Sequence, residues 1–267
     1  MEITNLLVPL VLMTLLGIPH GALDGHVIKS MSRNTIVYIS FLVLYAGIAL
    51  AGIAVWLLFP TAAMISFLAI STVHFGRSDV AKANFKLPML SIFARGGLWT
   101  ISLPLIHWQI TSVFFDYLLT DLRMMHIGLI IAVIPWSIAS AAHLVIEFRQ
   151  NNRRICCEWL LALLLVIFLP PLWALCLYFC GWHASRHMFR VFFSTKNTRG
   201  AVTDMLLFTA ITFAIAAAVY FLYARNIELT SAAIVIFFVG LFALTVPHMV
   251  LIDTFLPLKH KHWRIDV

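Results

Sequence analysis

Apolar runs, each near the length needed to cross a bilayer, succeed one another from residue 3 to residue 254. A helix rising about 1.5 Å per residue needs about 20 apolar residues to span the hydrocarbon core, with roughly 17 sufficient. The runs 3–26, 35–59, 61–76, 88–108, 124–148, 155–169, 172–193, 202–223 and 231–254 meet or approach that length. Of the 267 residues, 62% are hydrophobic and 11% charged, more apolar surface than a soluble domain of this size can hide. Lipid is therefore the expected solvent. The expected fold class is all-α, a polytopic transmembrane helical bundle of about eight or nine helices forming one integral membrane domain over 1–267. The count turns on Pro170-Pro171, because proline lacks a backbone donor and disfavours helix before it, so the pair either separates two spans or kinks one. The first run follows Glu2 and shows neither a basic leader nor a small-residue cleavage pattern, so it is read as a retained helix.

The net charge of +7 raises the question of nucleic acid, but a nucleic-acid groove needs Lys and Arg clustered on a polar face. Here they sit singly or in small groups between apolar runs, so no nucleic-acid partner is expected and the charge reports orientation. With the N-terminus outside, 13 of the 18 Lys and Arg fall in inside segments and two, Arg123 and Arg225, outside; Arg95, Arg186 and Arg190 lie within spans. By the positive-inside rule the C-terminus is then cytoplasmic, in a multi-pass protein of the cell (inner) membrane. Cys156, Cys157, Cys176 and Cys180 form no CxxC pair and lie in apolar segments, as buried thiols do. Of the four, Cys180 stands nearest to a histidine of interest, three residues before His183.

Six histidines fall in these spans or at their ends: His20, His74, His143, His183, His187 and His248. In the topology above each lies in the later part of a helix running from outside to inside, so all six share the cytoplasmic side. One such histidine is readily explained by a hydrogen bond to a neighbouring helix. Six at one depth point to a site, since polar groups in hydrocarbon face an interior or a cavity. His183 and His187, four residues apart in GWHASRH, share a helical face. His20 in GIPHGALD and His74 in HFGRSD each have glycine nearby and an aspartate, Asp24 or Asp79, four or five residues on. His248 is followed by Asp253, and His143 by Glu147 one turn later. A carboxylate that accepts the second ring N–H of a ligating histidine fixes its tautomer. An all-imidazole set suits iron, copper or zinc. HEXXH, Cys/His zinc, GxSxG and P-loop patterns do not occur. His26, His107, His126, His260 and His262 are read as interfacial.

The blocks GIPHGALD at 17–24, HFGRSD at 74–79, WHASRH at 182–187 and LTVPHMVLID at 244–253 resemble the signatures of the Brp/Blh family. Its members are bacterial and archaeal membrane β-carotene 15,15'-dioxygenases that supply retinal to rhodopsins. The blocks run in family order and cover essentially the whole chain. The resemblance implies an Fe(II) centre held by His20, His74, His183 and His187. It also implies cleavage of the central double bond of β-carotene by O2 into two all-trans-retinal, with a functional link to a retinal-binding rhodopsin. Asp24, Asp79, His143, His248 and Asp253 are then expected to line the pocket or support the ligands from behind. No catalytic side chain is expected beyond the metal centre, because oxygen attacks the polyene itself. The rivals are a histidine-rich haem or electron carrier, a His/Asp proton-relay transporter, and a di-iron hydroxylase, though adjacent HH pairs typical of the last are missing.

Overall fold

Proline and polar caps punctuate what is otherwise continuous helix. The structure, a computed structural model, describes the backbone of residues 3–80 and 87–255 and the side chains of 6–80 and 87–252. In chain order the α-helices are α1 (Ile3–Leu12), α2 (Ile18–Ala22), α3 (Asp24–Met31), α4 (Thr35–Leu58), α5 (Pro60–Val80), α6 (Pro88–Gly97), α7 (Leu103–Ile106), α8 (Trp108–Tyr117), α9 (Leu122–Arg149), α10 (Arg153–Phe168), α11 (Pro171–Tyr178), α12 (Ser185–Ser194), α13 (Thr198–Val219) and α14 (Leu229–Met249). Wide π turns lie at Met13–Gly17, Leu98–Ser102, Phe179–Ala184, Tyr220–Ala224 and Val250–Phe255. No strand occurs among the described residues, so the chain is all-α.

Several starts have a local cause. The side chains of Asn34, Asp121 and Asn197 accept from the amides of Val37, Met124 and Gly200, each at 2.9 Å, which satisfies orphan donors at the first turns of α4, α9 and α13. Pro170-Pro171 separates two helices. Leu169 is extended (φ −98°, ψ 150°), the conformation imposed on a residue before proline, and α11 begins at Pro171.

The helices form two compact units, residues 1–59 with 179–267 and residues 60–178. In the first unit Leu23, Val27, Ile28, Met31, Val191, Ala201 and Leu251 make a common core. There α4 lies close against α14, where a Cβ on Gly52 would meet the Ala243 backbone at 3.4 Å. In the second unit α5 and α6 cross so closely that a Cβ on Gly76 would collide with the Ile92 carbonyl, and one on Gly96 with that of Thr72. Small residues permit this approach, as they do between helices in lipid. Arg95, one of the three cations placed within spans, is 5% exposed and donates to Glu158 at 3.4 Å, so its charge is paired.

Among the described residues, six stretches are long and apolar enough to cross a membrane: Leu6–Met31, Thr35–Leu58, Pro88–Ile106, Leu122–Arg149, Thr198–Ala224 and Leu229–Ile252. The runs 61–76, 155–169 and 172–193 are helical too, but fall short of that measure. α10 has 16 residues, and α5 ends in the polar HFGRSD segment. Six of the nine apolar runs thus meet the length and composition of a crossing, and the other three are helical but short or partly polar. Outward faces are apolar: Leu57, Phe168, Phe193 and Leu222 are each more than 70% exposed. Contiguous apolar surface on this scale is suited to lipid.

Candidate metal centre

Four histidines converge inside the first unit. The ring of His20 lies 5.4 Å from that of His183, 5.8 Å from His187 and 5.3 Å from His248, and His187 lies 5.3 Å from His248. All four are buried. Each borders a π turn: His20 follows Met13–Gly17, His183 lies within Phe179–Ala184, His187 stands one turn beyond it, and His248 precedes Val250–Phe255. Such turns interrupt the α-helical register and are frequent at functional sites.

Gly17 closes the first of these turns, and its carbonyl accepts from Nδ1 of His20. That bond fixes the proton on Nδ1 and leaves the Nε2 lone pair for another partner. A side chain at Gly17 would run into the ring of Phe179, which meets His20 edge-on at 5.2 Å and stacks on His183 at 5.8 Å. Glycine is therefore required here by close approach. Phe179 walls the cluster, a place that the sequence alone assigns to no aromatic. Its position four residues before His183 in FCGWH is the available signal. Cys180 donates to the Leu12 carbonyl at 3.7 Å, and no disulfide joins the four cysteines.

Asp24 has a different partner from the one its spacing suggests. Instead of backing His20, four residues earlier, it accepts from Nδ1 of His248 at 2.8 and 3.0 Å and from the hydroxyl of Tyr45 at 2.8 Å. His20 has its carbonyl, so the two imidazoles are oriented by unlike acceptors. The carboxylate of Asp253 lies outside the described side chains. Asp24, His187 and His248 each offer a ligand atom within 4.8 Å of one another. Because both Asp24 oxygens already accept from His248 and one also from Tyr45, the carboxylate fits better behind an imidazole than on an ion.

The donor set fits a transition metal. Imidazole nitrogens about 2 Å from a shared ion put ring centroids about 5 Å apart at a tetrahedral angle, close to the spacings around His20. Nδ1–H bonds to a backbone carbonyl and to a carboxylate are the usual outer partners of ligating histidines.

The second unit holds the other sequence-derived candidates. His74 is buried on α5, and Asp79, a turn on, accepts from the hydroxyl of Tyr178 at 3.3 Å. Tyr178 is itself stacked on Trp99 at 4.1 Å. His143 on α9 is 3.1 Å from the Ser91 hydroxyl and 3.9 Å from the Glu147 carboxylate, the latter an ion-pair distance rather than a hydrogen bond.

His26, read as interfacial, is buried. In the first unit its Nδ1 donates to Asp204 at 2.8 Å and its Nε2 accepts from Thr195 at 3.0 Å. Asp204 on α13 is a distant acceptor that no local spacing shows. Lys29 also reaches Asp204, at 3.2 Å, beside a polar cavity of about 320 Å³ that none of the four clustered histidines lines.

The sequence profile of the family described as beta-carotene 15,15'-dioxygenase matches residues 11–256, a region containing all four histidine blocks. The chain belongs to that family. It is 31% identical over 251 residues, 91% of each chain, to the beta-carotene 15,15'-dioxygenase of uncultured marine bacterium 66A03. It is 25% identical over 205 residues to the probable beta-carotene 15,15'-dioxygenase Blh of Halobacterium salinarum, covering 65% of this chain and 58% of that one. No solved structure matches significantly. The family match extends the resemblance carried by four short blocks to nearly the whole length of this chain.

Proposed function

We propose that this chain cleaves β-carotene at its central double bond with O2, giving two molecules of retinal at an Fe(II) centre held by His20, His74, His183 and His187. The packing of His183 and His187 on the ring of His20 within a member of this family carries the reading. The name of the marine relative supports the substrate. His74 enters on its motif, as do Asp79, His143 and Asp253 as supporting groups.

A bound ferrous ion would supply open coordination positions and the electrons that activate dioxygen. The chain itself supplies orientation and dryness. Gly17 holds Nδ1 of His20, Phe179 closes one side, and burial excludes water from the imidazoles. The balance asks little more of the protein: one double bond breaks, and each carbon keeps one oxygen atom as an aldehyde. No external reductant and no net proton are needed, consistent with an all-histidine site lacking a positioned nucleophile. A hydrophobic substrate can reach such a site from lipid between helices. We place the chain in the cell (inner) membrane with its N-terminus outside, and link its product to a retinal-binding rhodopsin.

The test is expression in cells that accumulate β-carotene, with chromatography of the pigments and metal analysis of the purified protein. Retinal in place of β-carotene, with about one iron per chain, is the expected result. Intact β-carotene with a haem spectrum would assign the cluster to electron transfer instead. Shortened products without retinal would overturn central cleavage.

A further inference from the structure

The family resemblance leaves His248 outside the ligand set, but its surroundings are those of a ligand. Its ring stands 5.3 Å from His20 and 5.3 Å from His187, matching the spacing between the rings of His20 and His183. Its Nδ1–H is committed to Asp24, at 2.8 Å to one oxygen and 3.0 Å to the other. The remaining nitrogen, Nε2, therefore carries the lone pair and lies across the ring from the carboxylate. Histidine backed by carboxylate in this way is a recurrent arrangement around metals, because the charge raises ligand basicity and locks the ring.

Asp24 is in turn held by Tyr45. The Tyr45 hydroxyl donates to Oδ2 of Asp24 at 2.8 Å, the same oxygen that accepts the shorter bond from His248. Asp24 is buried, and the helices carrying the three side chains are α3, α4 and α14. We propose that His248 is a further imidazole ligand of the centre and that Tyr45 is a positioning residue acting on it through Asp24. The proposal rests on reading the cluster as a metal site.

A Tyr–Asp–His chain could also serve merely to tie three helices together, so the test must read the metal. The full-length protein is purified in detergent, stripped, and titrated with Co(II), whose visible bands report coordination number and geometry. His20→Ala is the control for the centre itself: if it binds Co(II) as the wild type does, the metal-site reading fails and this proposal falls with it. With that control behaving, His248→Gln is expected to change the Co(II) spectrum and weaken binding at least about 10-fold. Asp24→Asn should weaken it about 10- to 100-fold, and Tyr45→Phe by less. Because Tyr45 acts through Asp24, the double variant should bind no more weakly than Asp24→Asn alone.

Wild-type affinity and an unaltered spectrum in His248→Gln, beside a failing His20→Ala, would overturn the ligand assignment. A Tyr45→Phe effect equally large with and without Asp24 would overturn the positioning role. Elution profile and helicity of each variant separate these outcomes from misfolding.

Discussion

Gly17 gives the candidate centre its narrowest tolerance. Its carbonyl holds His20 and its missing side chain admits Phe179. Gly17→Ala should force that ring outward, lowering stability by about 1–3 kcal/mol and reducing bound iron. Thermal unfolding in detergent and metal analysis check this, and an unchanged protein on both counts would mean the contact relaxes without consequence. The buried His26–Asp204 pair makes the opposite prediction. Leaving a buried donor without its acceptor costs about 1–3 kcal/mol, so Asp204→Ala should destabilise the protein while leaving its Co(II) spectrum as in the wild type. A changed spectrum would connect this pair to the metal. These residues also mark what a sequence can convey. His183 and His187 are one turn apart, so periodicity predicts a shared face. Asp24 and His248 are 224 residues apart, and spacing along a helix speaks only of neighbours within a turn or two. Local spacing favours pairing Asp24 with His20, and a distant partner displaces it.

Among elements, proline signals itself and the π turns do not. Pro170-Pro171 acts through sterics on its predecessor, which any reader of the chain can anticipate. A π turn has no comparable composition. It is one residue too many for the register, accommodated because packing on either side rewards it. The four clustered histidines all border such turns, so their directions depend on that extra residue. Deleting Gly181 should convert Phe179–Ala184 to ordinary helix, leaving α12 nearly in phase with α11 but shifting His183, which lies inside the turn, from its place beside His20. Loss of metal binding with helicity retained by circular dichroism is the expected outcome. Metal binding that survives would show that the bulge can shift along the chain.

At the scale of the molecule, the all-α class is legible because lipid leaves few other solutions for a chain so apolar. The number of crossings is less so. Segments such as α5 and α10 are helical yet short or partly polar, and hydropathy alone does not say whether such a helix spans. Orientation is open to a direct test. With all nine runs crossing and the N-terminus outside, reporter fusions at residues 119–121 and 226–228 should report the outside, and those at 150–152 and 195–197 the cytoplasm. The reverse pattern would invert the topology and move the histidines to the other leaflet.

The first unit is assembled from two distant stretches of chain, 1–59 and 179–267. His20 is made early and His248 late, 228 positions apart. At about 5–20 residues per second of synthesis, the first imidazole waits roughly ten to fifty seconds in the membrane before its last neighbour leaves the ribosome. During that interval the early helices have polar groups without their final company, a state that invites insertion factors or transient pairing. Under the proposed function, metal capture by the whole cluster would follow translation, and metal supply, rather than the rate of protein production, would set how much of this protein becomes competent.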